Sequence, residues 1–154
     1  MPSPVQLQIR TLSSRATLPG YQTPGAAGLD LHACLPEGET IALAVGAIAL
    51  VPTGLALAIP EGHEGQVRAR SGLAAKHGIG LPNGVGTIDS DYRGELRVAV
   101  INWGSAPFVI EHGLRVAQLV ICPVARAEVR LVEALDQTVR GQGGFGSTGL
   151  LARP

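Results

Sequence analysis

The sequence predicts an all-β fold: a jelly-roll-like β-sandwich or distorted barrel with at most one short helix and a flexible, glycine-rich C-terminal tail. Three observations predict it. Only five of the 154 residues are aromatic, so a core made of Val, Ile, Leu and Ala must be finely interleaved, as between two sheets. The 21 Gly and 11 Pro are spread along the chain, and frequent turn residues between short apolar runs mark many short strands. Residues 66–70 and 96–100 alternate at period two, the pattern of a strand with one buried face.

The elements follow in order. Residues 5–10 alternate and open the chain as a strand. Residues 29–33 leave Gly28 as a strand that carries Asp30. Residues 40–59 contain no charge for twenty positions, which meets the length of a transmembrane helix. Gly46, Pro52 and Gly54 interrupt them, acidic residues flank both sides, and no positive flank orients them. Short buried strands at 40–43, 47–51 and 55–59, with a turn at Pro52-Thr53-Gly54, explain the run better. A strand at 65–70 leads to one short helix at 71–77, with Ser71 as its N-cap. Strands at 85–88 and 95–102 flank a tight reversal rich in Asx and Gly. Strands at 108–110, 115–121 and 128–132 complete the set. By length the chain is one domain, residues 1–136, followed by an arm at 137–154.

Formal net charge is zero, which excludes a global field for nucleic acid. The basic residues are eleven Arg and one Lys, and Arg presents the planar fork that suits phosphate. Cys34 and Cys122 stand alone, and the four His show no zinc spacing, so a structural metal is not expected. Two isolated Cys fit a reduced compartment, and the first residues read unlike a signal peptide. The expectation is a cytoplasmic protein with no membrane and no nucleic-acid partner.

Residues 86–95, Gly-Thr-Ile-Asp-Ser-Asp-Tyr-Arg-Gly-Glu, carry the densest chemistry. Two carboxylates, a phenol and an arginine crowd a hairpin tip, where they can activate water, stack and grip an anion. Four other segments pair Gly with polar groups in the same way. They are Ala27-Gly28-Leu29-Asp30-Leu31, Arg70-Ser71-Gly72-Leu73-Ala74, Gly113-Leu114-Arg115-Val116-Ala117-Gln118 and the stretch 140–149. Half of that last stretch is Gly. It lacks the Lys of a Walker loop, yet its N–H groups and the Ser147 and Thr148 hydroxyls can wrap an anion.

In this order the five segments resemble the five motifs of the homotrimeric dUTP diphosphatases, over nearly the whole chain from about Leu18 to Gly149. The resemblance implies a jelly-roll trimer with active sites shared between subunits. One subunit would give the hairpin, another the first, second and fourth motifs, and the third its tail. It implies hydrolysis of dUTP to dUMP and pyrophosphate, with Mg²⁺ on the triphosphate. Asp89 matches the catalytic base, with Asp91 a turn acid. Tyr92 would lie against the deoxyribose. Asn83 and the hairpin backbone at Thr87 and Ile88 would read uracil, and Arg97 would add a substrate contact. Arg70, Ser71, the Gly72 N–H and Gln118 would hold the phosphates. Asp30 would orient metal-bound water from behind. Phe145 would stack on the base, while Arg140, Gly146, Ser147 and Thr148 close over the nucleotide. Two alternatives stand beside this reading: a dCTP deaminase-like enzyme of the same fold, and a non-catalytic nucleotide-binding jelly-roll trimer.

Overall fold

The structure, a computed structural model, describes residues 4–147 and 149. Two four-stranded antiparallel sheets face each other across one apolar core. The first has the order β1 (Gln8–Thr11), β4 (Ile48–Ala58), β8 (Glu95–Asn102), β6 (Ile79–Gly80). The second has the order β2 (Leu29–His32), β10 (Arg115–Pro123), β5 (His63–Arg68), β7 (Gly86–Ile88). A two-strand ladder of β3 (Ile41–Leu43) and β9 (Phe108–Ile110) flanks them, and α1 (Ser71–His77) is the one helix among the described residues. The chain is therefore an open jelly-roll sandwich whose sheets do not close into a barrel.

Alternation builds the core. On β8, Leu96, Val98, Val100 and Asn102 are buried while Arg97 and Ala99 face outward. They meet Val51 and Leu55 of β4 and, from the opposite sheet, Leu31, Val67 and Leu119. Asn102 is the polar member of this layer. Its amide donates to the Leu43 carbonyl at 3.0 Å and the Ala106 carbonyl at 2.8 Å, and its Oδ1 accepts from Gly104 N at 2.9 Å. One side chain thus joins β3, β8 and the loop to β9. Asn102→Ala takes this partner from three polar groups, one buried and two part-buried, and we expect a loss of about 2 kcal/mol, read as a lowered urea midpoint at unchanged slope.

Three expectations are corrected. Pro52-Thr53-Gly54 is not a turn: β4 runs through it, with a register shift against β8 between Pro52 and Ala56. Gly54 takes a φ of +66° there, its N–H is held by Glu95 Oε1, and the Thr53 hydroxyl donates to the Leu96 carbonyl. A register shift inside a strand that continues on both sides is a bulge, not a chain reversal. Ser71 is the first helical residue rather than the N-cap; Arg70 occupies the cap position in extended conformation without a side-chain cap bond. Residues 128–132 form no strand, because they have no ladder partner among the described residues, and they are exposed. The short β6 was not anticipated, since two residues carry no period.

Among the described residues no helix is long and apolar enough to cross a membrane. The segment that raised that question is β3, β4 and their turn.

Candidate active site

A β-bulge assembles the first group of polar side chains. Register on β10 shifts between Arg115 and Ala117, and Val116 and Ala117 are both buried in succession. In a regular strand Arg115 and Gln118 would point to opposite faces; the extra residue turns both outward. Their neighbours on β2 are His32 and Asp30. Asp30 is the anchor. Its Oδ2 accepts from Arg115 Nη1 at 2.9 Å, and its Oδ1 lies 3.4 Å from Arg70 Nε. Arg70 also donates from Nη1 to the Arg115 carbonyl at 3.1 Å. Gln118 is fixed by a 3.0 Å bond to the Ala69 carbonyl. Gly28 lets it lie close, since a Cβ there would stand 2.5 Å from Gln118 Oε1.

These groups, with Ser71 and Gly72 in the first turn of α1, line an open cleft of about 320 Å³. One carboxylate holds two guanidiniums, so the cleft keeps a net positive charge and donors suited to phosphate oxygens. Sequence reading missed Arg115, which lines this cleft; period two hid it behind the bulge. His32 sits beside the cluster. Burial lowers its pKa below the ordinary value of 6.5; Asp30 opposes that, while Arg115 and Arg70 reinforce it. Its buried Nδ1 has no hydrogen-bond partner among the described residues.

The second group lies on the β7–β8 hairpin. Asp89 follows β7 directly, and its carbonyl accepts from Tyr92 N at 3.2 Å, closing the turn. The Tyr92 hydroxyl donates back to the Glu95 carbonyl at 3.0 Å. Arg93 clasps the Ser90 and Tyr92 carbonyls, at 2.6 and 2.9 Å. Glu95 accepts from Arg97 Nε at 2.8 Å. Thr87, Ile88, Asp89, Tyr92, Glu95, Leu96 and Arg97 together line a cleft of about 400 Å³. Glu95 was not anticipated as a lining residue. Asn83 is exposed and packs over Gly86, where a Cβ would meet its Nδ2 at 3.3 Å; it lines neither cleft. Asp91 does not line this cleft; it lines a neighbouring depression with Glu61, His63 and Glu64, which Thr87 and Asp89 also border.

The third group is the tail. Arg140 donates to the Gly143 carbonyl at 2.7 Å, Ser147 N to the Gly144 carbonyl at 3.0 Å, and Phe145 is fully exposed with a φ of +46°. Gly146 takes a φ of +88°. The described bonds of Arg140 and Ser147 stay within the tail, and Thr148 lies outside the described residues.

Within one chain the two clefts stay apart. Asp30, Gln118 and Arg68 share one row across β2, β10 and β5, while Gly86 pairs with Val67 on β7. Three strand spacings put Asp89 about 14 Å across from Asp30, and four residues put it about 13 Å further along, so roughly 19 Å in all.

The family model for dUTPase matches residues 14–149. The chain belongs to the dUTPase family. A deoxyuridine 5'-triphosphate nucleotidohydrolase of Anaeromyxobacter sp. is 57% identical over 149 residues, covering 95% of this chain and 99% of the relative. Its counterpart from Syntrophotalea carbinolica is 55% identical over 145 residues, covering 94% and 97%. Among solved structures, a Staphylococcus bacteriophage 80alpha dUTPase with dUPNHPP superposes with a TM-score of 0.85 at 29% identity, covering 94% of this chain and 99% of that one. A mutant dUTPase from phage phi11, described with a structural Mg(II) ion, gives 0.75 at 28% identity, covering 84% and 97%. All five segments singled out above fall inside the matched range, which ends within the glycine-rich tail.

Proposed function

We propose that the chain hydrolyses dUTP to dUMP and pyrophosphate by attack of water at the α-phosphorus. This activity limits uracil incorporation into DNA and supplies dUMP for thymidylate synthesis. The observation that carries the reading is a hairpin cleft lined by a carboxylate and a phenol, in a chain whose near-full-length relatives bear the dUTP nucleotidohydrolase name.

Asp89 is exposed at the cleft wall, where an ionised carboxylate takes the proton from water and holds it in line. Tyr92 walls the sugar side, and its ring leaves no room for a 2'-hydroxyl. Asn83, with the backbone of Thr87 and Ile88, reads the uracil edge, where an amide donates and accepts at once. Arg97, tied to Glu95, adds a contact at the mouth of this cleft. Arg70, Ser71, the Gly72 N–H and Gln118 hold the phosphate chain, and Arg115 joins them through Asp30. The tail closes from outside: Phe145 covers the base, while Arg140, Gly146, Ser147 and Thr148 bring charge and donors to the terminal phosphates.

Among the described residues no three His, Cys, Asp or Glu side chains converge as a metal cage. Mg²⁺ keeps its waters and binds mainly phosphate oxygens, so it would be held chiefly by the substrate. Asp30 would reach it through water, and when bound with the substrate it supplies charge neutralisation on the triphosphate.

The site is shared between copies in a homotrimer. A base whose backbone stands roughly 19 Å from that of Asp30 is too far to act on a phosphorus held beside Asp30 in the same chain, because proton transfer needs contact or one bridging water. A second feature points the same way. Residues 124–135 belong to no strand or helix, and their apolar Val129, Leu131 and Leu135 are almost wholly exposed. Such a segment gains from burial against a neighbouring copy. We place the enzyme in the cytoplasm.

The test is product analysis of purified protein with each deoxynucleoside triphosphate and Mg²⁺. Pyrophosphate and dUMP from dUTP alone are expected. Ammonia from dCTP would mark the deaminase, and tight dUTP binding without turnover would mark the silent trimer.

A further inference from the structure

Residue 94 is glycine for a reason the backbone does not supply. Its φ is not positive, so it does not occupy the left-handed region that favours glycine, and the position is exposed. The space a Cβ would occupy is taken by the Tyr92 phenol. The three nearest atoms all belong to it: Oη, Cζ at 2.6 Å and Cε2 at 3.0 Å. Folded over residue 94 in this way, the ring reaches the Glu95 carbonyl with its hydroxyl and forms one wall of the hairpin cleft. That carbonyl is itself held. Glu95 Oε1 accepts from Gly54 N at 3.0 Å, which ties the start of β8 to the bulge in β4.

We propose that Gly94 is a positioning residue for sugar specificity: it lacks a Cβ so that Tyr92 can lie where its ring closes the space a 2'-hydroxyl would need. This rests on the reading of Tyr92 as the sugar wall. A methyl at 94 pushes the far end of the ring away. Tyr92 is 45% exposed, so it swings into solvent without disturbing the core, and the loss falls on the cleft.

The experiment measures kcat/KM for dUTP and UTP in the wild type, Gly94→Ala, Tyr92→Ala and the double variant, with melting temperatures beside them. Each single change is expected to lower the dUTP-over-UTP preference by about tenfold or more. Gly94→Ala should melt close to the wild type. The double variant should match Tyr92→Ala alone within about twofold, because with the ring gone the methyl meets nothing, and the non-additivity measures the coupling. If Tyr92→Ala loses the preference and Gly94→Ala keeps it, the role of Gly94 is overturned and that of Tyr92 stands. If Tyr92→Ala keeps the preference, the sugar-wall reading itself fails. Should Gly94→Ala not fold, the double variant decides: a folded double supports the ring as the only obstacle, and an unfolded one overturns it.

Discussion

Asp89→Asn is expected to lower dUTP turnover about 10³-fold, the scale of a positioned general base, while the protein still binds a non-hydrolysable dUTP analogue. The substitution is nearly isosteric. The turn does not depend on the carboxylate, because Tyr92 N donates to the main-chain carbonyl of residue 89. The side chain is exposed at the cleft wall, so no buried network is broken. What changes is basicity: an amide takes no proton from water at neutral pH. Single-turnover rates on saturated enzyme separate this from weakened binding, and loss should appear in kcat rather than KM. Asp91→Asn is the control. Asp91 is two residues away on the same turn and shares the neighbouring depression with Asp89, but it does not line the hairpin cleft, so turnover should stay within about threefold of wild type. If Asp89→Asn keeps turnover within tenfold, the base lies elsewhere.

Much of the candidate site could be proposed from the chain because its residues sit where local chemistry announces them. Asp89, Tyr92 and Gly94 lie in a turn, and turns are coded by short-range preferences. The core strands were readable because alternation records burial directly, as at 96–102. What escaped was set by irregular pairing. Arg115 reaches Asp30 only because the shift beside Val116 breaks period two, and the pair Val116-Ala117 between polar neighbours is the one local trace of it. The bulge at Pro52–Ala56 misled in the opposite sense: Pro and Gly spell a turn, but long-range bonds from Thr53 and Gly54 to β8 keep the strand continuous. Residues 128–132 have strand composition and no ladder partner among the described residues. A pattern that needs a partner cannot be read to completion from one copy. The same would hold for the proposed shared site: its three groups are recognisable singly, and their meeting would depend on contacts between copies.

Mixing two inactive variants therefore tests the central geometric claim. Asp89→Asn spoils the hairpin and Arg70→Ala spoils the phosphate cleft, and each trimer alone should be close to dead. If every site takes its hairpin from one copy and its phosphate cleft from another, co-refolded mixtures regain activity. At equal amounts and random assembly, the hairpin comes from the Arg70→Ala chain half the time and the cleft from the Asp89→Asn chain half the time, so about a quarter of the sites are intact. Arg70→Ala also frees one oxygen of Asp30, but Arg115 still holds the other, so the variant chain should keep its fold. The recovered fraction should follow the product of the two mole fractions and peak at equal mixing. Mixing without exchange of subunits should recover nothing, which controls for activity gained in handling. Sites built within one chain predict no recovery at any ratio. That outcome would require the tail or a large movement of the hairpin to close a gap of roughly 19 Å that the strand register imposes.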